Sequence, residues 1–215
     1  MITLLGVGPG AKEYLTGKAI SVVREADIIA GWSHALKVVE EFIQGKEIQF
    51  TSHQREEEDI AYLAQEARRG KRCVICSVGD PNFSDHQLLE KIQKYDEVEI
   101  VPGISSVQVA ASLAHIPFEN TGFITFHKSG SIEEEKEELL RAIQKNKNLI
   151  LLPRPYDFMP RDIANFLIKH GIDASLKVTI FENLTLKDER KTETALRELK
   201  GEFSDLSIIV IKASK

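Results

Sequence analysis

The sequence predicts an α/β fold built as two lobes. Short apolar runs rich in β-branched residues alternate with segments of helical spacing along nearly the whole chain. The runs of the first half lead into glycine-bearing turns, the loops that open α/β sheets use to hold ligands. The alternation is interrupted near its middle by Pro117 and then resumes. A boundary there divides the chain into an N-terminal α/β domain, 1–117, and a C-terminal one, 118–215, each of a usual domain size. A cleft between two such lobes is a common place for a ligand.

The chain opens on Ile2-Thr3-Leu4-Leu5 running into Gly6-Val7-Gly8-Pro9-Gly10, a buried strand entering a glycine loop. A strand from residue 2 leaves no room for a signal peptide. Residues 16–25 have helical spacing, and 26–31 form a second short strand ending in glycine. Ser33 is placed to cap a helix reaching residue 42. A strand at 48–50 follows. The run Glu56-Glu57-Glu58-Asp59 reads as the solvated first turn of a helix through residue 69, where acidic groups suit the helix dipole.

A strand is expected at 72–77, a helix at 86–93, a strand at 98–101 and a helix of small residues at 104–111. The second half gives strands at 122–126, 148–152, 177–181 and 206–211. Its helices are expected at 133–144, 162–170 and 192–199. There is no short-period repeat and no low-complexity linker.

The 215 residues are 42% hydrophobic and 28% charged, an ordinary globular composition. The net charge of −5 does not imply a polyanion-binding surface, which disfavours nucleic acid as a partner. No apolar run approaches the ~20 residues of a membrane span, and the cytoplasm is the expected location.

Three familiar motifs fit poorly. A dinucleotide fingerprint matches Gly6 and Gly8, but Ala11 stands at its third glycine and Pro9 intrudes. The Gly-Lys-Ser/Thr ending of a phosphate-binding loop is absent. Cys73-Val74-Ile75-Cys76 has redox or metal spacing, yet it lies in a strand. Residues three apart on a strand face opposite sides, with Cα atoms about 10 Å apart, too far for a disulfide. Both are expected to be buried structural thiols, and no metal site is expected.

Three glycine-bearing loops follow first-lobe strands: Gly6-Val7-Gly8-Pro9-Gly10, Gly79-Asp80-Pro81 and Val101-Pro102-Gly103-Ile104-Ser105-Ser106. In this order and spacing the chain resembles the tetrapyrrole methylase family along its whole length. The resemblance implies two α/β lobes with a cofactor cleft between them, S-adenosylmethionine as cofactor, and a homodimer. Ala26 to Gly31 with His34, Phe123 to His127, and Phe181-Glu182-Asn183-Leu184 resemble the branch that methylates a ring carbon of a corrin precursor. The chain is too short to hold the separate decarboxylating methyltransferase domain fused to this module in some relatives, so that activity would need a partner protein. Departures occur at His127-Lys128-Ser129, where relatives have His-Gly-Arg, at Asn82 and Ser84, where a glycine and an aromatic are usual, and at Ser33, where an arginine is common.

The resemblance places the cofactor against Pro9, Gly79, Asp80, Pro81, Phe83, Ser105, Ser106, Val107, Pro153, Glu182, Asn183 and Leu184, with Gly8, Lys128 and Arg154 toward the substrate. Asp80 is either a ligand contact or an Asx-type turn residue before Pro81. Ser105 and Ser106 either cap a helix or touch the ligand. His127 is the candidate base for a proton released after methyl transfer, or a structural histidine; His34 and His53 are lesser candidates. Lys128, Arg154 and Arg161 are candidate anchors for substrate carboxylates, or solvated surface charges. Lys128 supplies a missing arginine's charge without its bidentate geometry. Rival readings are another ring-position methylase, a ribosomal-RNA methyltransferase of the same fold, which would show a basic face, and a tetrapyrrole or nucleotide carrier without turnover.

Overall fold

A computed structural model of the chain describes residues 1–52 and 54–213, so the candidate His53 lies outside the described residues. The chain divides into two compact units, Met1–Ser105 and Ser106–Lys215.

The first unit holds five strands, β1 (Ile2–Gly6), β2 (Ile28–Gly31), β3 (Glu47–Phe50), β4 (Cys73–Ser77) and β5 (Val98–Val101). They form one parallel sheet in the order β3-β2-β4-β1-β5. Among the described residues four α-helices connect them: α1 (Gly17–Glu25), α2 (Ser33–Val38), α3 (Glu56–Arg68) and α4 (His86–Gln93). Alternate strand residues bury on opposite faces. Leu5, Ile29, Val74 and Cys76 pack with α1 and α2, whereas Ile2, Leu4, Ile28, Cys73 and Ile75 pack with α3 and α4. The two cysteines are therefore free, buried and on opposite faces, as the strand period requires.

The structure differs from the sequence expectation at two helix starts. Ser33 is not a cap: Trp32 holds the N-cap position, its side chain making no capping bond, and the helix stops at Val38 before a short 3-10 turn at Glu40–Phe42. Thr16 does cap its helix, accepting from the Ala19 amide at 3.0 Å. The acidic run does open α3, but only Glu57 and Glu58 are solvated; Glu56 and Asp59 are buried. The i, i+3 spacing puts those two on the inward side of the first turn. There Glu56 pairs with Lys91 and Asp59 with Arg55.

The second unit begins with α5 (Ser106–Ala114) and continues through β6 (Thr121–Thr125), α6 (Glu133–Gln144), β7 (Asn148–Leu152), α7 (Pro160–Lys169), β8 (Lys177–Glu182), β9 (Arg190–Ala195) and β10 (Ser207–Ile211). Its sheet runs β6-β7-β10-β8-β9, with β6 and β7 parallel and the other neighbours antiparallel. Ile124, Leu149, Leu151, Val178, Ile180, Ile209 and Ile211 form a core with α6 and α7, while α5 packs on β7 and β10.

The helix expected at 192–199 is a strand. Residues 190–195 pair along their whole length with β8, and only Leu196–Glu198 coil, as a 3-10 turn. Leu196 and Leu199 both enter the core, and their spacing of three suggested a helix. The alternating threonines 192 and 194 favour the pleat, and the charges between them suit an edge strand.

Candidate functional site

In the first unit the site is built from backbone. β1 lies between β4 and β5, so the three glycine loops leave adjacent strand ends. The chain leaves β1 toward β2 on one side and β4 toward β5 on the other. Adjacent strands whose connecting helices, here α1 and α4, cover opposite faces of the sheet form a topological switch point, where open α/β sheets receive ligands. Gly8 and Gly79 exchange backbone hydrogen bonds of 3.2 and 2.7 Å, and both have positive φ, +85° and +76°. A Cβ on Gly6 would meet Gly103 N at 2.5 Å and Gly79 O at 2.6 Å. No side chain fits between these loops, and that close approach requires glycine.

Around this cradle stand Pro9, Gly79, Asp80, Pro81, Phe83 and Ser105, all contributed by the loops after β1, β4 and β5. Asp80 makes an Asx turn: its Oδ1 accepts from the Asn82 amide at 3.0 Å and from Asn82 Nδ2 at 2.8 Å. Ser105 is buried, and a Cβ on Gly79 would stand 3.7 Å from its Cα. His34 lies exposed in α2.

A carboxylate that the sequence pattern does not mark stands at this end. Asp85 precedes α4 but does not cap it; its carboxyl bonds instead to Ser77, the last residue of β4. This link closes the base of the Gly79 loop. Burial pushes the Asp85 carboxyl above the usual carboxylate range, the Ser77 hydroxyl opposes that, and the charges of Glu56 and Asp80 reinforce it. The hydrophilic stretch Ser84-Asp85-His86 reads as a helix start, which hides the pairing.

In the second unit β6, β7 and β8 all point the same way, so their carboxyl ends share one edge of the sheet. The remaining expected residues sort cleanly by this topology. His127 and Lys128 follow β6, Pro153 and Arg154 follow β7, and Glu182, Asn183 and Leu184 close β8. Ser106 and Val107 open α5 away from those loops in sequence. Arg161 is exposed in the first turn of α7.

Several of these side chains hold one another. Lys128 binds Glu135 at 2.5 Å. Arg154 bonds Asp157 at 2.6 Å and the Gly130 carbonyl at 2.8 Å. Burial works against the Glu135 charge, but its bond to Lys128 and the cations Lys128 and Arg154 outweigh it and hold the carboxyl below its usual range. Glu182 is buried, accepting from Arg190 at 2.7 Å and from the Ser204 amide at 2.9 Å. Asn183 sits at φ +52° and bonds Asp188 and Ser204. The backbone amide of His127 donates to Thr125 Oγ1 at 3.2 Å, leaving the imidazole exposed beyond the strand.

A two-unit α/β protein with a glycine-lined cradle at a parallel-sheet switch point is the class that fold and site define. The chain belongs to the tetrapyrrole (corrin/porphyrin) methylases, whose family model matches residues 1–200. These are S-adenosylmethionine-dependent methyltransferases acting on tetrapyrroles. It is 34% identical over 218 residues to the probable cobalt-precorrin-7 C(5)-methyltransferase of Methanocaldococcus jannaschii, covering 100% of this chain and 99% of that one. It is 26% identical to the cobalt-precorrin-7 C(5)-methyltransferase of Salmonella typhimurium, covering 98% of each. The fold matches the crystal structure of the precorrin-6Y methylase of cobalamin biosynthesis from Archaeoglobus fulgidus with a TM-score of 0.74 at 22% identity, over 100% of this chain and 99% of that one. It matches the methyltransferase CobJ with a TM-score of 0.82 at 20% identity, over 99% and 94%. Among the described residues, no helix is long and apolar enough to cross a membrane.

Proposed function

We propose that the chain is a cobalt-precorrin-7 C(5)-methyltransferase of cobalamin biosynthesis, adding one methyl group to carbon 5 of the ring without loss of carbon dioxide. The observation that carries this reading is the end-to-end likeness to the Methanocaldococcus jannaschii protein. The glycine loops, held backbone to backbone at Gly6, Gly79 and Gly103 at the switch point, would be the place where S-adenosylmethionine binds. When bound, that cofactor supplies an activated methyl group.

The chain's own residues would bind, orient and shield. Pro9, Gly79 to Phe83, and Ser105 to Val107 would hold the cofactor, with Asp80 accepting through the oxygen its Asx turn does not use. Pro153 and Glu182 to Leu184 would add a second set of contacts. Glu182 would act mainly by fixing the Asn183 turn, since Arg190 and Ser204 already engage its carboxylate. Gly8 would lie toward the substrate, where Lys128 and Arg154 would offer hydrogen bonds to ring carboxylates. Both cations already have acidic partners, so the substrate would join a network rather than meet bare charges. His127 would accept the released proton at an imidazole nitrogen. Positioning and exclusion of water would supply most of the rate.

The reading extends to a homodimer and to a separate protein for any decarboxylating methylation. Light scattering of the purified chain tests the first. Incubation with isotope-labelled cofactor and a panel of ring intermediates tests the activity: one methyl at carbon 5 supports it, and a methyl elsewhere or loss of carbon dioxide refutes it. A precorrin-4-type activity is the second reading, favoured by 24% identity over 92% of this chain to the cobalt-precorrin-4 C(11)-methyltransferase of Methanocaldococcus jannaschii.

A further inference from the structure

Five described residues other than glycine have positive φ: His115, Asn146, Tyr156, Asn183 and Thr185. His115 and Asn146 follow the ends of α5 and α6, the usual place for a left-handed residue. The other three are not helix ends. All lie in the loops that leave β7 and β8, at the one sheet edge that also carries His127 and Lys128. Backbone strain of this kind persists where surrounding structure imposes it, and it collects at ligand clamps.

Tyr156 is the outlier with least local reason. Its φ is +76°, poorly suited to a bulky side chain, and it is 92% exposed. Asn183 tolerates the left-handed region and is bonded on both sides of its amide. The side chain of Tyr156 makes no hydrogen bond or ring contact with any described residue.

Its loop is not slack. Arg154 and Phe158 exchange backbone bonds of 3.2 and 3.1 Å, closing a tight hairpin beneath it. Arg154 braces the hairpin internally through Asp157 and ties it to the Gly130 carbonyl. Phe158 is buried edge-on to Phe126, at 4.8 Å between ring centres. A rigid, strained hairpin therefore holds an aromatic ring out into solvent. The fold gains nothing from that arrangement.

We propose that Tyr156 is a ligand-binding residue whose ring packs on a flat conjugated ring brought to this edge. The inference rests on the functional reading above, which provides two such rings, the macrocycle and the purine of the cofactor. Tyrosine suits the task because it offers a large rigid face at small entropic cost.

The test uses the full chain and its Tyr156→Gly and Tyr156→Phe variants. Two probes are titrated without turnover, S-adenosylhomocysteine by calorimetry and uroporphyrin, a carboxylate-rich porphyrin, by absorbance. Thermal unfolding is followed alongside. Tyr156→Gly is expected to weaken one probe by roughly tenfold, with a melting temperature equal to or above that of the parent, because glycine relieves the strain. Tyr156→Phe keeps the face and is expected to bind within about twofold of the parent. Weakened uroporphyrin assigns the contact to the macrocycle; weakened S-adenosylhomocysteine assigns it to the purine. Unchanged affinity for both probes, or a melting temperature that falls in Tyr156→Gly, overturns the proposal while leaving the functional reading intact. A parent chain that binds neither probe overturns both.

Discussion

Gly79 and Gly103 meet through backbone alone: a Cβ built on Gly103 would stand 2.2 Å from the Gly79 carbonyl oxygen and 2.8 Å from the carbonyl of Gly6. Backbone cannot retreat from such a contact as a flexible side chain can. Gly103→Ala should therefore destabilise the chain by about 3 kcal/mol or more. Gly45 also has positive φ but no heavy atom within 4 Å, so Gly45→Ala should cost only the strain, about 1–2 kcal/mol. Gly17 opens α1 with open space and no left-handed φ, and Gly17→Ala should stabilise by up to about 1 kcal/mol. Denaturant unfolding of the three variants gives the ranking, and equal costs for the first two would dismiss the close-packing argument.

The cysteines offer a direct check of burial. Burial pushes the thiol of Cys73 up to about 11 and that of Cys76 up to about 12. Both side chains sit in separate apolar layers. Because the thiolate is the reactive form, an aromatic disulfide reagent at pH 8 should modify neither in the native chain and both after denaturation. Rapid modification of either in the folded state would show that its strand face opens.

Removal of Arg190 should be costly although that residue is mostly exposed. Its partner Glu182 is only 5% exposed at the side chain, and the pair bonds at 2.7 Å across β8 and β9. Arg190→Ala leaves a buried carboxylate with the Ser204 amide and no counter-charge, at a cost of about 1–3 kcal/mol. A double variant with Glu182→Gln should recover part of that loss. Full additivity of the two single effects would mean they do not interact.

The alternation of short apolar runs and helical segments made the first sheet legible in sequence, because parallel strands buried on both faces have little else to be. The glycine loops were legible for a related reason: a backbone junction excludes side chains and so writes itself as glycine. β9 was not legible. An edge strand exposed over its first four residues keeps charges and threonines, and the two leucines after it belong to the core for reasons of topology. The depth of Glu56 and Asp59 was equally hidden, since it depends on which way α3 rolls against Lys91 and the sheet. The pairing of Lys128 and Arg154 with acids could not be read either. Glu135 and Asp157 look like any surface carboxylates until each cation is seen to turn back on an acid of its own loop or of the helix that follows.

Asp85 links the glycine loop to pH. Its carboxyl is raised by burial, with Glu56 and Asp80 adding to the rise and only the Ser77 hydroxyl opposing it. A raised carboxylate binds its proton more tightly folded than unfolded. Over the window from the ordinary carboxylate range up to the folded value, the native state holds more protons, so the contribution of Asp85 to stability falls as pH rises. Asp85→Asn keeps the shape and a hydrogen bond toward Ser77 but removes the titration. The variant should be no more stable than the parent below the ordinary carboxylate range, should gain on it as pH rises from there through the raised folded value, and should hold level above it. The difference in melting temperature between the two chains, followed across that range, isolates this residue from the other carboxylates. Cofactor affinity should follow the same trend if the Ser77 link keeps the Gly79 loop in its binding shape. A constant difference at every pH would show that Asp85 titrates alike in both states, and a difference that shrinks toward neutrality would mean the carboxylate form supports the loop.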